Sequence, residues 1–139
     1  MPAIRQQISI AASPRTVWSA LTTPEGLTSW WVDDARVDPR VGGRVVLKSM
    51  DEQGEPLEER GIFLDFSPTR RIEIAWDKLG AAPNSASRVQ FQLARAGGET
   101  RLSVVVSGGE NLDDDETFDA LTRDWKASLK ALRDSLEND

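Results

Sequence analysis

The sequence predicts an α+β fold in which a curved antiparallel sheet of six to seven strands wraps around one long C-terminal helix, with two short helices after the first strand. Several short segments between residues 4 and 106 alternate apolar and polar residues, as half-buried strands do. The C-terminal segment instead carries apolar residues at helical spacing. Alternating strands form a sheet with one apolar face, and this helix is the only long apolar element available to cover it.

The N-terminal part of the chain predicts one strand and two short helices. Residues 4–10 place three isoleucines on one face at period two, which indicates a strand. Ser13-Pro14 and Thr23-Pro24 each provide a helix N-cap followed by proline at the first helical position. The first predicted helix carries Trp18 and the second ends in the pair Trp30-Trp31. Because such large side chains rarely stay in water, both helices are expected to close one edge of the sheet.

Five further segments are predicted strands because their apolar residues recur at every second position. They are residues 44–50, 58–66, 71–76, 88–93 and 100–106. In the segment 58–66 the alternation puts Ile62, Leu64 and Phe66 on the inner face. Trp76 and Phe91 are the large aromatic residues expected to face inward from the next two strands. Residues 77–87 are rich in Ala, Asn, Ser and Pro and are predicted to form a loop.

The C-terminal segment predicts a helix of about six to seven turns. Its apolar residues are separated by three or four positions and form a single stripe: Phe118, Leu121, Trp125, Leu129, Leu132 and Leu136. The acidic residues 113–116 precede this stripe, where the helix dipole favours negative charge. They lack the alternating ligands and internal glycine of a calcium loop, so we expect no metal site.

Composition excludes several kinds of chemistry. The chain has no histidine, cysteine or tyrosine, which removes Ser-His-Asp and Cys-His nucleophiles and zinc sites, and makes an enzyme the less favoured hypothesis. The net charge is −6 and the basic residues are scattered, so neither a nucleic-acid partner nor a cofactor is expected. Without a long apolar run or a signal peptide, we expect no membrane partner and a cytoplasmic location.

A series of motifs runs through nearly the whole chain. The segments are Ser13–Thr22, Pro24–Trp31, Gly42-Gly43, Gly61–Trp76, Thr100–Leu102 and Trp125–Leu132. Their order and spacing resemble the SRPBCC superfamily, whose members share the START and birch-pollen-allergen helix-grip fold. Within it, the chain is most similar to the branch named after the activator of the heat-shock chaperone ATPase. The resemblance implies a single domain over residues 1–139 and a deep, mostly apolar cavity between the sheet and the C-terminal helix.

The resemblance does not imply one function, because superfamily members bind lipids, sterols, hormones or polyketides and some catalyse cyclisation or hydrolysis. Our primary hypothesis is a binding protein for a hydrophobic or aromatic small molecule, acting as a monomer or homodimer. Its candidate ligand-binding residues are Trp31, Trp76, Phe91, Phe118, Leu121 and Trp125. Of these, Trp31 is expected near the cavity mouth, and ordinary core packing is the alternative for each.

Two other functions stay open from the sequence. One is a protein-interaction module, with a chaperone in the stress response as an example of a partner. The other is a cyclase-like or hydrolase-like enzyme that uses cavity carboxylates, for which Asp33, Asp34 and Glu58 are the nearest candidates. The enzyme would need a buried carboxylate with a raised pKa, whereas adjacent acidic residues in a loop are usually solvated.

Overall fold

The computed structural model describes residues 3–50, 53–77, 87–108 and 115–137. Its elements, in chain order, are β1 (Ala3–Ile10), α1 (Pro14–Thr22), α2 (Pro24–Trp30), β2 (Asp34–Val37), β3 (Arg44–Met50), β4 (Pro56–Ser67), β5 (Arg71–Asp77), β6 (Ser87–Ala96), β7 (Glu99–Gly108) and α3 (Asp115–Glu137). The strands form one antiparallel sheet in the order β1-β7-β6-β5-β4-β3-β2. This confirms the predicted α+β helix-grip fold and sets the sheet at seven strands.

Strand order places β1 and β2 at the two edges of the sheet. The strands β2 to β7 form a meander, and β1 returns to pair with β7 along its whole length, from Ala3 opposite Ser107 to Ile10 opposite Thr100. The alternation of the sequence did not predict β2, because it has only four residues and one of them, Ala35, is buried. The predicted loop 77–87 falls mostly on residues 78–86, which lie outside the described residues.

Both short helices begin as their cap residues predict. The Ser13 hydroxyl accepts a hydrogen bond from the Thr16 amide at 3.2 Å, and the Thr23 hydroxyl accepts one from the Gly26 amide at 2.9 Å. Gly26 lets α2 approach α1 closely, because a Cβ there would lie only 2.4 Å from the Ser19 carbonyl oxygen. The caps and this contact therefore set the angle at which the second helix leaves the first.

The inner face of β4 differs from the prediction. Ile62 and Leu64 are 39% and 41% exposed, whereas Phe63 is buried, so the inward assignment of Ile62 and Leu64 was wrong. The register shifts between Phe63 and Asp65, which marks a β-bulge, and Phe66 then returns to the inner side, 5.1 Å from the Phe63 ring. An inserted residue breaks the period-two pattern, and the apolar run 62–64 by itself does not reveal where the insertion lies.

The helix α3 covers the sheet from one side. It packs mainly against β1, α1 and α2. At its C-terminal end, the Glu137 carboxylate accepts a hydrogen bond at 2.8 Å from the amide of Ala11, the residue after β1. Asp115 and Glu116 occupy its first turn as predicted, while Asp113 and Asp114 lie outside the described residues. Within the described ranges, no helix is long and apolar enough to span a membrane.

A substitution at Gly61 would measure how tightly the sheet packs at this position. A Cβ on Gly61 would lie 2.7 Å from the Trp76 ring and 2.8 Å from the Ile74 side chain. We expect Gly61→Ala to lower the free energy of unfolding by about 1–3 kcal/mol, since a well-packed core resists added volume. Urea unfolding measures the loss. Gly98→Ala is the control, because a Cβ added to Gly98 would have no neighbouring atom within 4 Å. Equal midpoints for both variants would contradict the prediction.

Candidate functional site

Five aromatic rings meet where α2, the sheet and α3 come together, with Trp31 at the centre. Trp31 stacks on Trp30 with ring centroids 5.1 Å apart and planes 16° from parallel. Its ring also lies 6.3 Å from Trp76 and 6.5 Å from Phe91, both edge-on, and 5.5 Å from Trp125. We call these five residues the aromatic cluster. Offset and edge-on pairs of this kind stabilise beyond simple burial, so the cluster ties three elements together.

The end of α2 determines the position of the two adjacent tryptophans. Trp31 is the C-cap of the helix, and its amide donates to the Leu27 carbonyl at 3.0 Å. Trp30 points into the core, where its indole N–H donates to the Ala20 carbonyl at 2.9 Å. Trp31 lies just beyond the helix with non-helical backbone angles, and its ring stacks on Trp30 while staying half-buried.

A glycine in β4 makes room for the part of the aromatic cluster that the sheet contributes. Trp76 of β5 lies directly opposite Gly61 of β4, and the Trp76 ring occupies the space that a Gly61 side chain would fill. Phe91 reaches the same inner face from β6. Trp76 and Phe91 are only 5% and 2% exposed, so they form a wall on the sheet side.

Burial changes along the single apolar stripe of α3. In its C-terminal half, Leu129 and Leu132 are 2% and 0% exposed. In its N-terminal half, Phe118, Leu121 and Trp125 remain half-buried although they lie on the same side of the helix. The stripe is therefore closed at Leu129 and Leu132, half-buried again at Leu136, and half-buried throughout its N-terminal half, where the Trp125 ring contacts Phe91 of the sheet.

The structure brings four of the six predicted ligand-binding residues into one group of ring contacts, in which Trp31 contacts Trp76, Phe91 and Trp125. Phe118 and Leu121 lie farther along α3 and pack against the core. A ligand-binding role for all six residues stays a prediction, as does the position of Trp31 at a cavity mouth.

Sequence reasoning missed Phe63, which is fully buried. Phe63 contacts Phe66, and Phe66 contacts Trp18 of α1 with ring centroids 5.2 Å apart. A second aromatic group thus joins β4 to the first short helix. The structure shows that Gly61 and Phe63, two residues apart, share the inner face, which the apolar run 62–64 did not signal.

The candidate carboxylates do not form an acid–base pair. Asp33 and Asp34 are exposed. Glu58 accepts from Arg60 at 2.7 Å and lies 3.9 Å from the Lys48 ammonium. Apart from Asp77, whose burial is not described, no Asp or Glu of the described ranges is buried, and no group of three potential ligands there could hold a metal ion. The three candidate carboxylates therefore have the surroundings of ordinary solvated surface groups.

Truncation of Leu132 and of Trp125 compares how closely α3 packs at these two positions. Leu132→Ala is expected to lower the free energy of unfolding by about 2–5 kcal/mol, because it empties a closed site. Trp125→Ala should lose less than the about 3–5 kcal/mol typical of a fully buried tryptophan, because part of that side chain is already accessible. Chemical unfolding of both variants gives the comparison. A full-sized loss for Trp125→Ala would show that the cluster is ordinary core.

Known structures share this fold. A protein from Nitrosomonas europaea superposes with a TM-score of 0.84 at 21% identity, covering 99% of this chain and 95% of that one. The Aha1 dimer from Colwellia psychrerythraea gives 0.80 at 26% identity, covering 99% and 97%. CalU16 from Micromonospora echinospora gives 0.76 at 23% identity, covering 96% and 75%. No functionally curated protein matches the sequence.

The family comparison agrees with the fold. The sequence profile of the Activator of Hsp90 ATPase homolog 1-like proteins matches residues 11–137, which include both short helices, the sheet from β2 onward and α3. That range also contains every residue of the aromatic cluster. The chain therefore belongs to the family of Activator of Hsp90 ATPase homolog 1-like proteins.

Proposed function

We propose that the protein binds an apolar or aromatic small molecule between the N-terminal half of α3 and the inner face of the sheet. The observation that carries this proposal is the change of burial along the helix stripe. Phe118, Leu121 and Trp125 are only half-buried, whereas Phe91, which the Trp125 ring contacts at 6.0 Å, and Trp76 of the neighbouring strand are buried. A ligand seated there would cover the accessible part of the three helix side chains.

Aromatic contact would supply most of the affinity. Each 100 Å² of apolar surface removed from water contributes about 2.5 kcal/mol toward offsetting the cost of association. Trp31 stands between the helix and the sheet and offers a half-buried ring to a ligand entering beside it. Small-molecule sites of other proteins are likewise concave and lined mainly by apolar side chains. The resemblance to a superfamily whose members bind lipids, sterols and hormones supports the same function.

A chaperone-linked function is the second candidate. The family is described by its relation to an activator of the Hsp90 ATPase, and one structural neighbour at 26% identity is an Aha1 dimer. The outer face of the sheet offers a contact surface, because Ile62 and Leu64 are exposed next to each other in β4. Exposed apolar residues of this kind are typical of protein-binding surfaces when they adjoin one another.

Ligand binding is tested by intrinsic fluorescence and thermal melting against a panel of lipids, flavonoids and aromatic acids. A ligand at 100 times its Kd should stabilise the protein by about 2.7 kcal/mol. We expect Trp31→Ala to lose this stabilisation. Trp18→Ala is the matched control, because Trp18 is also half-buried but contacts Phe66 outside the aromatic cluster. No stabilisation by any compound, or equal loss in both variants, would contradict the proposal.

The chaperone-linked function is tested by the ATPase rate of Hsp90 from the same organism. If the outer face of β4 is the contact, the protein should stimulate ATP turnover, and Ile62→Glu with Leu64→Glu should abolish the effect because it places charge in an apolar contact. Both residues are exposed, so we expect the fold to survive, which circular dichroism checks. An unchanged ATPase rate with the parent protein would overturn this candidate.

A further inference from the structure

A stripe of four basic residues runs along one flank of α3. Its members are spaced three, four and three positions apart and so share one side of the helix: Arg123, Lys126, Lys130 and Arg133. The stripe faces Gln6, Gln7 and Ile8 of β1 across a groove of about 450 Å³. Ala127 and Leu129 add apolar surface to the groove. We call this feature the basic groove; none of its residues belongs to the aromatic cluster.

The charges of the stripe are not neutralised within the described residues. Arg123, Lys126 and Lys130 have no carboxylate within 4.0 Å in the described ranges, and Arg133 reaches only the adjacent Asp134, at 3.9 Å. Like charges at this helical spacing destabilise a helix by about 0.2–0.5 kcal/mol per pair. The chain has a net charge of −6, so solubility does not require a concentration of positive charge here. The stripe therefore indicates an anionic partner.

The other wall of the groove is the free edge of a sheet. Among the residues that the structure describes, β1 pairs only with β7 and lies at the end of the strand order. Along such an edge, every second residue presents its backbone N–H and C=O away from the sheet. An extended peptide can add to this edge as a further strand, with backbone hydrogen bonds for affinity and side-chain contacts for specificity.

We propose that the basic groove binds an extended acidic segment of a partner protein, which lies along β1 as an added strand and directs its carboxylates at the stripe on α3. Helical rise places the first and last cations about 15 Å apart. A strand advances about 3.4 Å per residue, so four to five residues span that distance. Carboxylates at alternate positions, about 7 Å apart, would reach neighbouring cations, whereas the residues between them would point to the opposite side.

A fluorescein-labelled peptide of ten residues that alternates Glu and Val tests the proposal on the full chain. Fluorescence anisotropy should show binding that weakens as salt increases, because the contact is ionic. We expect Lys126→Glu with Lys130→Glu to weaken binding at least tenfold, and the corresponding pair of Gln substitutions to weaken it less. The control is Arg36→Glu with Arg88→Glu, two exposed cations on other strands, which changes the net charge equally and should leave affinity within twofold.

Several outcomes would overturn the proposal. Equal losses in the two charge-reversal variants would mean that overall charge, and not the groove, attracts the peptide. Equal binding of a peptide with proline at alternate positions would exclude strand addition, because proline cannot donate the backbone hydrogen bonds. Equal binding of a DNA oligonucleotide would show attraction to any polyanion. Self-association that the groove substitutions abolish would identify a second copy of this chain as the occupant.

The test is independent of the proposed small-molecule function. Trp31→Ala should leave peptide affinity unchanged, because Trp31 does not line the groove. Lys126→Glu with Lys130→Glu should likewise leave unchanged any stabilisation by an apolar ligand. Loss of peptide binding in the Trp31 variant would overturn the assignment to the basic groove, whichever result the ligand panel gives.

Discussion

The apolar face of the sheet is wider than one helix can cover, and the rest of the structure depends on how that face is closed. Seven strands about 4.8 Å apart extend over roughly 29 Å, while a helix with its side chains is about 10–12 Å across. The short helices α1 and α2 close one part, and their angle depends on the Ser13 and Thr23 caps. Large rings fill much of the remainder, with Trp31 joining α2 to the sheet and to α3.

This closure explains why α3 has different surroundings along its length. Its C-terminal half packs where β1, α1 and α2 are close, and Leu132 is fully buried. In its N-terminal half the Trp125 ring contacts Phe91 of the sheet, and Phe118 and Trp125 stay half-buried. The same helix presents Lys126 and Lys130 on another flank. One element thus carries the core, the proposed ligand-facing surface and the basic groove.

Much of the fold could be predicted from local pattern, because period-two and helical spacings report which side chains share a face. Trp31, Trp76, Phe91 and Trp125 were all among the candidate residues chosen from the sequence, and the structure joins their rings in one group around Trp31. The wrong or missing strand predictions fall where the alternation of apolar and polar residues is interrupted or is too short to recognise. The bulge after Phe63 reversed the assignment of Ile62 and Leu64, and the four-residue strand β2 was too short to show alternation.

The sequence by itself determined the three helices, the two short-helix caps and six of the seven strands, because each depends on residues close together in the chain. Only the tertiary structure decided which parts of their apolar faces are fully buried. The stripe of α3 looks uniform in sequence, yet Leu132 is closed and Trp125 is not, because burial depends on what packs opposite. The basic groove could not be predicted for the same reason. Its other wall is β1, which lies more than a hundred residues away in the chain and is brought beside the cations only by the fold.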